Sequence, residues 1–278
     1  MDQKLIEEVK RIELDIVKEF DRICRENNIT YYLCGGSLLG AVRHKGYIPW
    51  DDDIDLFMER NEYERFCQIA DRELPEDLHL QNYHTEPNCG LVFAKIRKKG
   101  TTMSETYSHH INLEQGIWID IFPLDHLPDD VKKADSLKKK VLILKNLYIV
   151  KCGYKNPHPE SLTYRIAYAV CKAVVAPFSL QYFIHQLERC MKTSQHERTE
   201  YLFPFGGAYP KKDTVPAAWF DETEQFDFED TKLTGIRAYD AYLTQIYGNY
   251  MELPPVEKRV GGMHNLYKVS LNNERSPK

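Results

Sequence analysis

Two short apolar segments of this chain each contain an aspartate, and this constrains the fold more than any other feature. Asp55 lies within DIDLFM (residues 53–58), and Asp120 lies among three isoleucines in IWIDIF (residues 117–122). Both segments are typical of strands, and residues two apart on a strand share one face. A carboxylate within an apolar strand requires a partner or an ion. The sequence therefore predicts a sheet whose acids lie opposite its isoleucine face.

The spacing of Asp53 and Asp55 predicts that both carboxylates lie on one side of a strand, with Cα atoms about 6.5–7 Å apart. Mg²⁺ takes oxygen ligands from one or two carboxylates and from substrate phosphates. We therefore expect a Mg²⁺ site here, with Mn²⁺ as an alternative. Asp120 is the expected third ligand, and it would also accept the proton of an attacking hydroxyl. The alternatives are a solvated acidic turn at 51–53 and, for Asp120, a carboxylate satisfied by backbone amides or an arginine.

A Gly-Gly-Ser segment at a predicted strand-to-helix junction suggests where phosphate binds. Gly35 and Gly36 let the backbone approach a ligand, and a helix N-terminus attracts anions. Ser37 is predicted to cap a short helix that ends near Arg43. Arg43 and Lys95 are the preferred cations for neutralising the phosphate. Further basic residues near the aspartates or on the predicted strand are His44, Lys45 and Arg97.

The remaining pattern predicts an α+β protein in three parts. Residues 1–128 hold a long amphipathic helix, over residues 4–26, and a mixed α/β pattern that predicts the catalytic core. Residues 129–200 are helical and locally basic, which predicts a helical insertion. Residues 201–278 return to mixed structure, and we expect this C-terminal segment to pack back on the core and complete an acceptor site.

Composition excludes several classes of protein. The formal net charge of −5 argues against a general nucleic-acid binder. Seven dispersed cysteines without a Cys-x-x-Cys pair favour reduced thiols over disulfides or a zinc site. The N-terminus is charged, unlike that of a signal peptide. These features predict a cytoplasmic protein.

A basic stretch followed by an apolar one suggests contact with a membrane. Lysines are frequent in residues 132–151, and residues 166–184 are apolar but interrupted by Lys172 and Pro177. The interruptions disfavour a spanning helix. The combination suits peripheral contact with an anionic surface, at the inner face of the plasma membrane. The alternative is a solvated helix face followed by a buried helix.

Three segments resemble the LicD family of phosphocholine transferases, which belongs to the nucleotidyltransferase-fold superfamily. They are GGSLLGAVRHKGYIPWDDDIDL (35–56), WIDIFPLD (118–125) and YGNYMELPPVEKR (247–259). The resemblance implies a nucleotidyltransferase-like core, a small mixed β-sheet flanked by helices, with a helical insertion and a C-terminal segment. The superfamily pattern of Gly-Gly/Ser, Asp-x-Asp and a distant acid corresponds here to Gly36, Ser37, Asp53, Asp55 and Asp120.

The same resemblance implies an activity. It implies Mg²⁺-dependent transfer of phosphocholine from CDP-choline to a sugar hydroxyl of a lipid-linked cell-surface glycan, such as a teichoic acid, with release of CMP. Residues 231–237 depart from the expected pattern in a region that we expect to shape the acceptor site. The alternatives are a nucleotidyltransferase that adds NMP to a small-molecule hydroxyl and a non-catalytic nucleotide-binding protein.

A choline head group would require an aromatic cage, because a quaternary ammonium binds over ring faces. The chain has 18 Tyr, 12 Phe and 3 Trp. The candidates are Tyr47, Trp50, Trp118, Tyr247 and Tyr250.

Overall fold

A computed structural model describes residues 3–156, 160–207, 211–259 and 266–272. The helices are α1 Gln3–Glu26, α2 Gly35–His44, α3 Arg60–Glu73, α4 Val131–Lys151, α5 Leu162–Val175, α6 Leu180–Met191 and α7 Tyr239–Tyr247. The strands are β1 Tyr32–Leu33, β2 Asp55–Glu59, β3 Leu78–Gln81, β4 Ala94–Lys98, β5 Thr102–Glu105, β6 Ile117–His126, β7 Tyr201–Phe203, β8 Val215–Pro216, β9 Thr223–Phe228, β10 Thr231–Ile236 and β11 Leu266–Ser270. Two 3₁₀ turns cover Ala217–Phe220 and Val256–Lys258.

The centre of the protein is a mixed sheet with the strand order β1-β2-β6-β4-β3. β2 and β6 run parallel, and the other neighbours in this order run antiparallel. β7 pairs with the end of β6 and with β8, β9 pairs with β10 as a hairpin, and β11 pairs with β5. The prediction of an α+β protein with a mixed sheet flanked by helices is confirmed.

The apolar face of this sheet packs against α1. Ile16 and Phe20 on the helix and Ile119 and Ile121 on β6 belong to one core cluster and are at most 1% exposed. Complete burial of such a side chain contributes about 1.5–3 kcal/mol. The alternating isoleucines thus fix which face of β6 is buried against α1, and Asp120 lies on the other face.

A second cluster joins the helices that follow β6. Val141 and Tyr148 of α4 pack with Phe183 and Leu187 of α6, whereas α5 contributes only Val175. Among the described helices, none is both long and apolar enough to span a membrane by itself. α5 and α6 meet that criterion only as a pair, which is bent by 97°. The predicted division of the chain at residues 128 and 200 stays a prediction.

Two local predictions are wrong. α2 begins at Gly35 after the N-cap residue Cys34, so Ser37 lies within the first turn. The Ser37 hydroxyl accepts a hydrogen bond from the Asp55 N–H at 2.8 Å and so binds a strand instead of capping its own helix. β2 begins at Asp55, and Asp53 lies in the extended loop before it. At Ser37 a tertiary hydrogen bond replaces the predicted cap, and β2 begins where its pairing with β6 begins, at Asp55 opposite Asp120.

Candidate active site

Asp55, Asp120 and Lys95 form a row across three adjacent strands. The parallel register places Asp55 opposite Asp120, and the antiparallel register places Lys95 opposite Asp120. Opposed side chains on neighbouring strands lie close enough to interact. Lys95 Nζ is 3.1 Å from Asp120 Oδ1. Burial raises the pKa of Asp120, and the ammonium of Lys95 opposes that rise.

Asp53 joins this row from the loop before β2. Asp51, Asp52 and Asp53 each offer a carboxylate oxygen within 4.8 Å of the others. Burial, followed by the charges of Asp51 and Asp52, raises the pKa of Asp53 well above its ordinary value. Burial, followed by the charge of Asp53, does the same to the pKa of Asp55, and burial raises the pKa of Asp51 to about 6. The loop and the strand together concentrate negative charge that the described protein groups only partly balance.

The N-terminus of α2 lies beside these acids. Gly35 has a φ of +52°, which favours glycine, and its N–H donates to the Tyr242 hydroxyl at 3.1 Å. A Cβ on Gly36 would lie 2.3 Å from Asp51 Oδ2. Glycine at position 36 therefore leaves room for a carboxylate next to a helix terminus whose N–H groups can bind anions.

The two predicted cations are placed differently. Arg43 faces the cavity described below, but its Nη1 donates to the Tyr250 carbonyl oxygen at 2.6 Å and so holds the C-terminal segment. Lys95 is only 3% exposed, and its Nζ lies 3.8 Å from the centre of the Trp118 ring. Lys95 thus neutralises Asp120 directly, whereas Arg43 is already engaged with the backbone.

A cavity of about 810 Å³ opens beside the acids. One side is formed by Gly35, Gly36 and the aspartates at positions 51, 53 and 55, and the other by residues 247–255. Its volume suits a small-molecule substrate. Lys95 and Asp120 are not part of the described lining and lie farther along the strand row from Asp55.

The five aromatic residues that are candidates for a choline cage fall into two groups by their position. Trp50, Tyr247 and Tyr250 line the cavity. Tyr47 donates from its hydroxyl to the Lys10 carbonyl oxygen at 2.9 Å, and Trp118 lies beneath the cationic groups of β4. The first three can contact a cavity ligand, and the last two have other partners.

Two residues of α1 approach the acids although sequence reasoning missed them. Glu13 is completely buried, and among the described residues its Oε1 has no hydrogen-bond partner. Burial and then the charges of Asp53 and Asp52 raise its pKa well above the ordinary value. Lys10 donates to the Ile48 carbonyl oxygen at 3.3 Å. The sequence does mark Glu13 as unusual, because this acid interrupts the apolar stripe of α1.

The donor set fits a hard divalent cation. Carboxylate oxygens are the ligands that Mg²⁺ prefers. Within the described ranges, the buried Asp120 Oδ1 accepts no well-aligned hydrogen bond, although Lys95 lies within ion-pair distance. The carboxylate cluster found among the described residues contains neither histidine nor cysteine. The oxygen ligands and the excess of negative charge both favour a cation.

This fold and site define an α+β protein with a carboxylate-rich centre beside a cavity of small-molecule size. Residues 28–141 match the family model described as LicD/FKTN/FKRP, nucleotidyltransferase domain. The chain is 29% identical over 273 residues to "Lipopolysaccharide cholinephosphotransferase LicD" of Haemophilus influenzae, and the match covers 92% of this chain and 95% of that protein. Residues 28–141 therefore carry a domain of the LicD type, and the similarity to the Haemophilus protein extends over nearly the whole chain. Together the two matches support an enzyme of the phosphotransferase class.

Two further proteins match shorter parts of this chain. An uncharacterised protein of Rickettsia prowazekii is 49% identical over 107 residues, which cover 38% of this chain and 31% of that protein. The human ribitol 5-phosphate transferase FKRP is 64% identical over 28 residues, which cover 10% of this chain and 6% of that protein.

Proposed function

We propose that this protein transfers phosphocholine from CDP-choline to a sugar hydroxyl of a lipid-linked cell-surface glycan and releases CMP, in a reaction that requires Mg²⁺ or Mn²⁺. The observation that carries the proposal is the acid row of Asp55 and Asp120, joined by Asp53 and adjacent to a cavity at a helix N-terminus. The cholinephosphotransferase name of the Haemophilus relative, matched over nearly the whole chain, supports the head group. The proposed core is of the nucleotidyltransferase type, in line with the description of the matched family model.

Three aspartates would hold the metal in this proposal. Asp53, Asp55 and Asp120 supply carboxylate oxygens, and their mutual repulsion supports a role as ligands. A bound Mg²⁺ would supply positive charge to phosphate oxygens where negative charge develops. Lys95, whose Nζ lies 3.1 Å from Asp120 Oδ1, would orient that carboxylate and favour its ionised form against the effect of burial on its pKa.

Backbone and side-chain groups of the protein would bind the donor phosphates and accept the proton. Gly36 and the first turn of α2 would bind phosphate oxygens of the donor through backbone N–H groups, and Gly35, whose own N–H donates to the Tyr242 hydroxyl, would shape the turn. Asp120 would accept the proton of the attacking sugar hydroxyl, since burial raises its pKa and so makes it a stronger base than an exposed aspartate. The new bond forms between the sugar oxygen and the phosphorus that bears choline, and the bond from that phosphorus to the CMP oxygen breaks.

The head group would bind among the cavity aromatics. Trp50, Tyr247 and Tyr250 line the same cavity as Asp53 and Asp55. A quaternary ammonium is attracted to ring faces and cannot donate a hydrogen bond, so aromatic walls suit it. The identity of the acceptor glycan, a teichoic acid or another cell-surface glycan, would depend on the C-terminal segment that forms the opposite wall.

A second donor is favoured by one specific observation. The 28-residue match to a ribitol 5-phosphate transferase makes CDP-ribitol the first competitor to CDP-choline. Transfer of NMP to a hydroxyl is a further alternative that would use the same acids, and a non-catalytic nucleotide-binding protein is another. The mass of the modified acceptor distinguishes the transfer of phosphocholine, of ribitol phosphate and of NMP.

The test incubates the purified protein with Mg²⁺, a lipid-linked glycan preparation, and either CDP-choline or CDP-ribitol. Released CMP and the mass gained by the acceptor are measured. We expect acceptor-dependent CMP and a phosphocholine increment with wild type, loss of both with Asp55→Asn or with EDTA, and full activity in the surface control Asp227→Asn. A ribitol phosphate or NMP increment would contradict the choline assignment. Unchanged turnover in Asp55→Asn would contradict the proposed site.

A further inference from the structure

α5 presents an apolar face that no described part of the chain covers. Leu162, Ile166, Val170 and Val174 recur every four residues and are 67, 58, 56 and 52% exposed. Residues four apart lie on one face of a helix. A soluble surface seldom keeps a continuous apolar stripe of this kind, so the stripe indicates an interaction surface. We call these four residues the α5 apolar face.

Aromatic side chains continue the exposed surface beyond the helix. Phe178 and Tyr182, 39 and 44% exposed, lie in and just after the bend that follows α5, with their ring centroids 4.8 Å apart. Lys151 Nζ donates to the Ala176 carbonyl oxygen at 3.1 Å and so ties the end of α4 to this bend. Aromatic rings next to lysines are typical of segments that lie at a lipid–water boundary.

Basic residues outnumber acidic ones in the sequence around α5. Residues 136–175 contain eight lysines and arginines and a single acid, Glu160, although the whole chain has a net charge of −5. On α5 itself, Arg165 and Lys172 are exposed and seven residues apart, so they lie along the same edge of the helix. Long basic side chains at the edge of an apolar face can reach anionic head groups while their stems remain in apolar surroundings.

Two other occupants fit these observations less well. A second copy of the chain docked through the same face would bring Arg165 and Lys172 close to an identical basic surface, and like charges repel. A perpendicular insertion does not fit the length, because the 14 residues of α5 would span about 21 Å whereas a hydrocarbon core is about 30 Å thick. An anionic bilayer surface parallel to the helix complements both the apolar face and the charge.

We propose that α5 lies flat in the surface of an anionic bilayer, with the α5 apolar face among the acyl chains and Arg165 and Lys172 at the head groups. The membrane contact would bring the enzyme to its lipid-linked acceptor, and in this respect the inference rests on the proposed function. The contact is peripheral, and it depends on both apolar burial and charge.

The test compares sedimentation of the full chain with vesicles of phosphatidylcholine alone and of phosphatidylcholine and phosphatidylglycerol in equal parts. We expect binding to the anionic vesicles only. Ile166→Ser combined with Val170→Ser should weaken that binding about tenfold or more, because two side chains no longer become buried. Arg165→Gln combined with Lys172→Gln should weaken it and reduce its salt dependence. Val131→Ser, at a residue 72% exposed on α4, is the matched control and should bind like wild type.

Turnover on a water-soluble acceptor separates this proposal from the proposed function. With a delipidated glycan, we expect the serine variant, the glutamine variant and the Val131→Ser control all to release CMP like wild type. With the acceptor in vesicles, only the serine and glutamine variants should lose activity. Normal turnover with equal vesicle binding by wild type and the serine variant would overturn the membrane proposal only. A change of oligomeric state in the serine variant, without vesicle binding by wild type, would show that a second copy covers the face. Absence of turnover with every acceptor would contradict the proposed function and leave the vesicle result to decide the membrane proposal.

Discussion

The hydroxyl of Ser37 accepts a hydrogen bond from the backbone N–H of Asp55 at 2.8 Å, and this bond joins the first turn of α2 to the first residue of β2. Ser37 is 4% exposed, so water competes little for the bond. The helix terminus that can bind phosphate and the strand that carries the proposed metal ligand therefore move together. Ser37 thus fixes the start of β2 against α2, and its part in phosphate binding stays a prediction.

Ser37→Ala should reduce the free energy of unfolding by about 1–3 kcal/mol, because it leaves a buried N–H without its acceptor. It should also reduce the increase in melting temperature that Mg²⁺ produces, since Asp55 loses its fixed position. Urea unfolding and thermal unfolding, each with and without Mg²⁺, measure the two effects. The exposed Ser136→Ala is the control and should change neither. A variant at position 37 with normal Mg²⁺ stabilisation would show that the bond does not position the site.

Gly36→Ala should weaken Mg²⁺ binding, because the new Cβ would lie 2.3 Å from Asp51 Oδ2 and would move the negative charge of that carboxylate away from the proposed ligand Asp53, from which it is separated by less than 4.8 Å. Calorimetric titration with Mg²⁺ measures the affinity. A double-mutant cycle with Asp51→Ala tests the cause. If the carboxylate is what the methyl group displaces, Gly36→Ala will have little further effect once Asp51 is alanine. Equal effects in both backgrounds would assign the loss to the helix backbone instead.

Stability without metal should depend on pH through the clustered acids. Burial and mutual repulsion raise the pKa of Asp53 and of Asp55 well above 3.8, and burial raises that of Asp51 to about 6. The folded carboxyls then bind protons more tightly than the unfolded ones. Their contribution to stability is full below the unfolded pKa and is lost as the pH rises through the folded pKa.

A divalent ion binds the ionised carboxylates and should reverse this loss. The increase in melting temperature caused by Mg²⁺ should therefore be small near about pH 5 and larger near about pH 8. Scanning fluorimetry across this range, with Mg²⁺ or EDTA, measures it. Asp53→Asn combined with Asp55→Asn should be more stable than wild type in EDTA at the higher pH and should lose the response to Mg²⁺, whereas Asp227→Asn should keep it. A Mg²⁺ effect independent of pH would contradict the involvement of these acids.

The sequence predicted those site residues that have a local signal. It did not predict contacts between residues that lie far apart along the chain. Asp55 and Asp120 were predictable because an acid within an apolar strand is a local signal that alternation assigns to one face. The position of Glu13 depends on how α1 packs against the sheet, which the helical pattern alone does not specify. The hydrogen bond from the Arg43 guanidinium to the Tyr250 carbonyl oxygen was not predictable, because no side-chain pattern indicates a backbone partner 207 positions away. The phosphate-binding role of Arg43 stays a prediction.

Asp125 shows the same limit within a recognised motif. It lies in WIDIFPLD and could be taken for another site acid, but both of its oxygens accept hydrogen bonds from Arg60 at 2.7 Å. The two side chains are 1 and 4% exposed. The parallel pairing of β2 and β6 ends just before these residues, so the ion pair joins the ends of both strands. The site strands are held in register by a pair that takes no part in the proposed chemistry.

Asp125→Ala should therefore reduce the free energy of unfolding by about 3–5 kcal/mol, because it leaves the Arg60 guanidinium buried without a counter-charge. Replacing both residues, with Arg60→Met and Asp125→Leu, should recover most of the loss, since neither charge is then buried. Urea unfolding measures both, and the exposed pair of Arg198 and Asp221 provides the matched control, where Asp221→Ala should cost less than about 1 kcal/mol. If the double variant were as unstable as Asp125→Ala, the cost would lie in packing at the strand ends and not in the unpaired charge. If Asp125→Ala were stable but inactive, Asp125 would act in the chemistry after all, and the ion pair would be a means of orienting it.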